Sequence, residues 1–375
     1  MTAKTDVAVI GAGLAGLQVA RKLAARGLSV VLLDRKTSLA DGIHTTGIFV
    51  RKTWEDFPLP GEQLGRGIRE VVLYSPARRA LRLEADHDEF RVGRMGWIYL
   101  YLLEQCSRAG VRWMPASRLI GIEDDGTLAI DRRGVRERLQ ARFVVGADGA
   151  RSSVAQQLGL DANRETLVGV EEVVPSAGGA PVMHCFLDPR LAPGYIAWVV
   201  DDGEEAHIGV AGYRKGWDAN AALKEFRGSV AHLARGRTIE RRGGLIPVGG
   251  MLRRIACDRG LLVGDAAGAV SPLTAGGLDG AMRLSLFAAE VIERYLEQGD
   301  ARVLRAYTGD RFRARFLTRR WMRAGIRAAS QPLVGAISME LAYALLRTPP
   351  LRAFAGHVFF SRGGSFPDAG ELVTA

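Results

Sequence analysis

Two kinds of apolar run alternate along the chain. Residues 6–10, DVAVI, form a short unbroken apolar stretch with β-branched side chains, the pattern of a strand buried on both faces. Glycines follow, and at 14–26 Ala, Leu and Val recur at helical spacing until Gly27 ends the run; residues 28–33, LSVVLL, are again strand-like. This order predicts a βαβ unit. Further strands are predicted at 71–74, 81–84 and 143–146, and a helix at 97–109 closed by Gly110. From 167 to 210 the texture changes to short strands with turn residues between them, as in VMHCFL, YIAWVV and HIGVAG, which predicts a separate sheet-rich unit. Residues 260–298 return to the first style, with the strand LLVG, a glycine-rich loop and a helix over 278–296. Beyond 301 the chain is mostly amphipathic helix, broken at Pro349 and Pro350 and ending in a glycine-rich tail. The first unit is therefore interrupted and resumed: 1–66 with 91–165 and 249–300, against 67–90 with 166–248, followed by a helical region at 301–375.

Composition narrows the class. A length of 375 residues with 47% hydrophobic content supports a sizeable core without staples. Cys106, Cys185 and Cys257 have no paired spacing, which excludes a disulfide framework, a thiolate zinc site and a redox dithiol. The six histidines share no helical face with one another or with carboxylates, so no metal site is expected. The start MTAKTDVAVIG runs straight into a strand pattern, and no stretch approaches the roughly 18 apolar residues of a spanning helix, so a cytoplasmic protein is expected, at most at a membrane surface. The net charge of +10 raises the question of an anionic partner. Only six of the 51 basic residues are Lys, an Arg bias spread over the whole chain, and no compact basic run carries interleaved aromatics for nucleic acid. The segment 311–327, RFRARFLTRRWMRAGIR, is different: Phe312, Phe316 and Trp321 among arginines make it a candidate interfacial helix.

The candidate chemistry begins with Gly11, Gly13 and Gly16 in VIGAGLAGLQVA. Between a strand and a helix, Gly11 permits a tight turn, Gly13 lets the backbone approach a pyrophosphate, and Gly16 lets helix and strand pack closely. The helix N-terminus, at Leu14 and Ala15, offers amides and a positive dipole end to phosphates. Asp34, followed by Arg35, closes the second strand at the distance expected for an acid accepting from ribose hydroxyls. This fingerprint alone does not separate NAD from FAD. No second G-x-G-x-x-G with strand and helix around it occurs, so a separate NAD(P)H domain is not expected; NAD(P)H or another reduced donor would dock transiently.

Two further motifs point to FAD. GLLVGDAAGAVSPLTAGGLDGAM, 260–282, sets Gly264 and Asp265 after a strand and a long helix after the glycines, and GADGARSSVA lies at 146–155. Together they resemble the paired Asp-Gly and Gly-Asp motifs of the flavin-dependent aromatic hydroxylase and geranylgeranyl reductase superfamily. The resemblance covers about residues 5–165 and 240–300. It implies an α/β fold: an FAD-binding Rossmann-like domain of the p-hydroxybenzoate hydroxylase type, interrupted by a mainly antiparallel β-sheet substrate domain, with a helical C-terminal region. By that resemblance Asp265 binds ribityl or ribose hydroxyls, Gly276, Gly277 and Leu278 lie near the isoalloxazine, and Asp148 and Gly149 shape the cleft. Arg94, in FRVGRMGWIYLYLLEQC, matches the arginine at the start of the helix flanking the cofactor.

PGYIAWVVDDGEEAHIGVAG, 193–212, is similar to the substrate-cover segment of geranylgeranyl reductases, with Tyr195 and Trp198 as the matching aromatics, although Val200-Asp201 stands where Phe-Pro is expected. GGLIPVGG, 243–250, resembles the segment leading to the Gly-Asp motif. In DGIHTTGIF, 41–49, Thr46-Gly47 replaces the Cys-Gly pair of reductase-type relatives; the resemblance implies that Thr46 is among the cofactor-binding residues and that His44, in the same loop, joins Tyr195 and Trp198 as a substrate-pocket candidate. The resemblance implies reduction of carbon–carbon double bonds of an apolar, isoprenoid-like substrate by reduced flavin. A flavin monooxygenase acting on an aromatic or polyene molecule is the alternative, and a non-catalytic electron-transfer module a lesser one. The absence of a Trp-x-Trp-x-Ile-Pro segment disfavours halogenation.

Overall fold

The computed structural model describes residues 3–213, 215–299, 301–329 and 335–360. The glycine-rich tail expected at the C-terminus lies outside these residues.

Two sheets organise the described chain. The first runs in the order Ala256–Cys257, Gly260–Leu262, Val135–Gly146, Ala3–Ile10, Val30–Leu33, Arg112–Met114, and its central strands are parallel, with Val7 opposite both Val30 and Phe143. Helices cover both faces of such a sheet, which explains why Val7, Val9 and Leu32 are wholly buried and why the strands read as unbroken apolar runs. Leu14–Ala24, Met95–Arg108 and Leu278–Gln298 supply part of that cover. The Ser285 hydroxyl donates to the Ala15 carbonyl at 3.0 Å and fastens the long helix to the first one.

The turn after the first strand is built on close approach. Gly11 has φ +101°, and a Cβ there would sit 2.4 Å from the Ala147 carbonyl oxygen. A Cβ on Gly16 would lie 1.8 Å from the Gly11 carbonyl oxygen. Strand, turn and helix fit together only because both positions lack side chains.

The second sheet has seven strands in the order Glu240–Pro247, Thr166–Pro175, Glu205–Gly212, Ala197–Asp201, Val182–Phe186, Glu70–Tyr74, Ala80–Glu84. All neighbours are antiparallel except Val182–Phe186 beside Glu70–Tyr74. One face packs Phe226 and Leu223 of the helix Ala219–Ser229 on Ile208, Val199 and Val210. The opposite face looks back toward the first sheet.

Four helices, Ala301–Ala306, Asp310–Ala329, Gly335–Leu346 and Pro349–Phe360, finish the described chain. Pro349 opens the last one, where a missing N–H costs nothing. The interfacial reading of 311–327 needs correction. Phe312 and Phe316, one turn apart, are 1% exposed and pack into the core of the first sheet beside Phe287 and Tyr307, whereas Trp321 on the other side of the helix is 72% exposed. The helix is docked along its aromatic stripe, so Phe312 and Phe316 cannot face a lipid surface. Among the described residues no helix is long and apolar enough to cross a membrane.

Candidate active site

A cavity of about 1360 Å³ runs between the two sheets, larger than a typical small-ligand pocket of ~300–1,000 Å³ and roomy enough for a dinucleotide and a second molecule. At one end lies the glycine turn. Gly13 begins the helix Leu14–Ala24 with no side chain capping its first amides, and a Cβ on Gly13 would meet no atom within 4 Å. Free amides at a helix N-terminus beside empty space fit a pyrophosphate. The Asp34 carboxylate accepts from the Ala12 amide at 2.7 Å and the Lys36 amide at 2.9 Å, which fixes it at the end of its strand facing the cavity.

The second helix N-terminus closes the other side. Leu278–Gln298 starts at Gly277, again with no side-chain cap, and Gly276, Gly277 and Leu278 line the cavity. Asp265 lies alongside; burial pushes its carboxyl up to about 6, and no described residue donates to that carboxylate. An acid held in this way and aimed into a cavity fits a ligand hydroxyl. Asp148 is different, since its carboxylate accepts from the Ser153 and Val154 amides and from the Ser152 and Ser153 hydroxyls. It caps the short helix Ser153–Gln157 and, with Gly149, shapes the wall rather than offering free acceptors.

Leu14, Ala15, Arg35 and Thr46 also line the cavity, as do His44, Tyr195 and Trp198. Gly16 does not; its place is against the turn. The structure moves Arg94 away from the site expected for it. Its guanidinium is tied to Asp202 at 2.5 Å, Glu204 at 2.9 Å and Glu205 at 3.3 Å, because the fully buried Asp202 carboxylate at the end of a sheet strand claims it. Arg94 thus joins the start of a helix to the second sheet, outside the cavity wall. Tyr195 donates to the Thr274 carbonyl at 2.6 Å and bridges the second sheet to the loop before the long helix. The exposed His44 donates from Nδ1 to the Gly243 carbonyl at 2.8 Å.

Beyond the flavin-side motifs the cavity becomes an apolar chamber. Leu73, Met183, Cys185, Trp198 and Val200 of the second sheet form one wall, and Met339, Leu345, Leu346, Phe354 and Phe359 of the last two helices form another. Burial pushes the Cys185 thiol up to about 12, so it remains a neutral packing group.

Sequence reasoning missed a polar cluster set into this wall. Glu171, 3% exposed, accepts from Trp198 Nε1 at 3.1 Å and from the Thr46 hydroxyl, and pairs with His207 Nδ1 at 3.1 Å and Arg242 at 3.7 Å. Burial alone would push the Glu171 carboxyl up, but the charge and hydrogen bond of His207, then Arg242 and Thr46, hold it below the usual carboxylate range. The signal was a pair of adjacent acids, Glu171 and Glu172, in the otherwise largely apolar strand TLVGVEEVVP, too common a feature to be read alone.

Comparison with known proteins agrees with this geometry. A family profile described as FAD dependent oxidoreductase matches residues 6–101, and one described as FAD binding domain matches 99–221. The digeranylgeranylglycerophospholipid reductase 1 of Methanothermobacter thermautotrophicus is 30% identical over 335 residues, covering 80% of each chain. The digeranylgeranylglycerophospholipid reductase of Methanocaldococcus jannaschii is 28% identical over 308 residues, covering 79% of this chain and 78% of that one. Among solved structures, a geranylgeranyl bacteriochlorophyll reductase-like protein of Thermoplasma acidophilum superposes with TM-score 0.82 at 19% identity over 100% of this chain and 98% of that one. A probable FAD-dependent monooxygenase of Pseudomonas aeruginosa superposes with TM-score 0.65 at 18% identity, covering 91% and 100%. At these identities the two structures show a shared fold.

Proposed function

The chain belongs to the digeranylgeranylglycerophospholipid reductase family of FAD-dependent oxidoreductases, and from that premise we propose that it saturates carbon–carbon double bonds of an apolar, isoprenoid-like substrate. FAD is its cofactor; when bound and reduced, it supplies hydride from N5. Gly11, Gly13, Leu14 and Ala15 would receive the pyrophosphate, Asp34 the adenosine ribose, Asp265 the ribityl chain, and Gly276 to Leu278 the ring system. The carrying observation is the continuity of one cavity from these residues into the apolar chamber walled by Met183, Trp198, Val200 and Leu345. The division into an interrupted nucleotide unit and a sheet unit puts substrate choice on the second sheet. NAD(P)H or another reduced carrier docks transiently, since one dinucleotide turn serves FAD alone.

The last two helices carry a further part of the reading. Ile337, Leu341, Leu345, Leu351 and Phe354 are exposed, and the last three also line the chamber. We assign this rim to peripheral contact with a lipid surface, where a long isoprenoid dissolves.

The test of the reaction is a single turnover without oxygen. Chemically reduced holoenzyme mixed with an apolar polyene is expected to reoxidise its flavin and yield a product heavier by two hydrogens. Reoxidation only in the presence of oxygen, with label from isotopic oxygen gas in the product, would replace the reductase reading by a monooxygenase.

A further inference from the structure

Reducing an alkene takes a hydride at one carbon and a proton at the other. On the second sheet, among the apolar side chains of the chamber wall, sits the cluster around Glu171, whose placement follows from strand register. Glu171 lies opposite Gly209 on one neighbouring strand and Arg242 on the other, Trp198 lies opposite Gly209, and His207 is two residues away on the same face. A Cβ on Gly209 would come within 2.2 Å of the Trp198 ring, so the bare backbone lets the indole lie across that strand and reach Glu171. Thr46 enters from the loop on the opposite side and meets the same carboxylate, with both Thr46 and Glu171 facing the cavity.

We propose that His207, Glu171 and Thr46 form a proton path that ends at the substrate, with the Thr46 hydroxyl as the catalytic residue and Glu171 and His207 as positioning residues that resupply it. The proposal rests on the reductase reading above. A hydride supplied by reduced FAD adds to one alkene carbon, the π electron pair takes the Thr46 proton at the other carbon, and a carbon–carbon single bond with two new C–H bonds results. FAD is oxidised by two electrons and the alkene reduced by two. The Thr46 oxygen regains a proton through the carboxylate of Glu171 from Nδ1 of His207.

The supply to His207 is also in place. Its ring is fully buried, Nε2 has no hydrogen-bond partner among the described residues, and the nearest acid is Glu205 Oε2 at 3.9 Å. Glu205 is 26% exposed and held by Arg94, so its carboxylate stands between solvent and Nε2 of the buried ring. The charged groups facing this path are Arg242 beside Glu171, Glu240 on Arg242, and Arg94 on Glu205. A purely structural cluster would not need the hydroxyl at the cavity surface.

Single turnovers of the reduced holoenzyme with an apolar polyene, without oxygen, in light and heavy water, test the path. Thr46→Val and Glu171→Gln are expected to slow reoxidation by substrate about 100-fold or more, the typical weight of a positioned acid, with polyene affinity and FAD content changed less than about twofold. Thr46→Ser restores the rate, and the wild type shows a solvent isotope effect on this step. In the flavin-free protein, thermal unfolding against pH gives a reading independent of activity. The depressed Glu171 carboxyl contributes stability that is lost as pH falls through its folded value, so Glu171→Gln loses that part of the acid slope. Turnover of Thr46→Val at the wild-type rate, or a Thr46→Ser variant as slow as Thr46→Val, overturns the path while leaving the reductase reading standing. A wild type that reduces no polyene removes both together.

Discussion

Gly13 and Gly16 are three residues apart and answer to different demands. A side chain at 13 points into the cavity and meets no protein atom within 4 Å, whereas one at 16 collides with the Gly11 carbonyl. Gly13→Val is therefore expected to fold with a flavin-free melting temperature close to wild type and to purify colourless; FAD at full occupancy in that variant would refute the assignment of the turn. Asp265 gives a pH-dependent counterpart. Its carboxyl is raised to about 6 before ligand binds, and the ionised form is the stronger acceptor for hydroxyls, so FAD affinity should fall by up to about tenfold per unit as pH drops below that value. Fluorescence titration across that range checks it, and Asp265→Asn should bind weakly with no such slope. The places of Gly13, Gly16, Asp34 and Asp265 at strand ends and turns were legible because strand, turn and helix follow one another within a few residues. Glu171 and His207 were not, because they meet through the pairing of strands 36 residues apart.

Elements show the same divide between local and long-range information. The helix at 14–26 and the helix at 278–296 were readable from periodicity and end within a few residues of the observed Leu14–Ala24 and Leu278–Gln298. What the helix Asp310–Ala329 packs against was not, since an Arg-rich helix with aromatics looks alike on a bilayer and on a core. The partner decides: Phe312 meets Phe287 edge to face, and Phe316 joins the same buried cluster built from elements earlier in the chain. Arg94 was misplaced for a related reason, because its acidic partners lie more than a hundred residues downstream. Phe316→Ala is expected to destabilise the protein by about 3–5 kcal/mol in denaturant unfolding, and Trp321→Ala by less than about 0.5 kcal/mol. Equal costs would mean that the helix presents a different face.

For the whole molecule, the distribution of exposed apolar side chains is uneven in a way that bears on how substrate arrives. Leu317, Trp321, Ile337, Leu341, Leu345, Leu351 and Phe354 all lie in the three last described helices, on a chain of net charge +10. Scattered apolar residues need no explanation, but a concentration on helices that also wall a chamber does. An isoprenoid lipid leaving a bilayer for water would lose the transfer energy of every methylene, about 0.8 kcal/mol each, whereas entry through a rim seated on the membrane avoids that loss. At such a rim, arginines such as Arg320 on the neighbouring helix would add attraction to anionic headgroups over a screening length of about 10 Å at 0.1 M salt. The holoenzyme is expected to float with anionic liposomes at low salt and to be partly released as salt rises, because only the charged share of the contact is screened. Ile337→Glu combined with Leu341→Glu, two exposed positions outside the chamber wall, should abolish flotation while single turnover with a short, water-dispersed polyene persists. Wild-type protein that stays at the bottom of the gradient at low salt would detach the rim from any membrane role and leave it as the chamber's own cover.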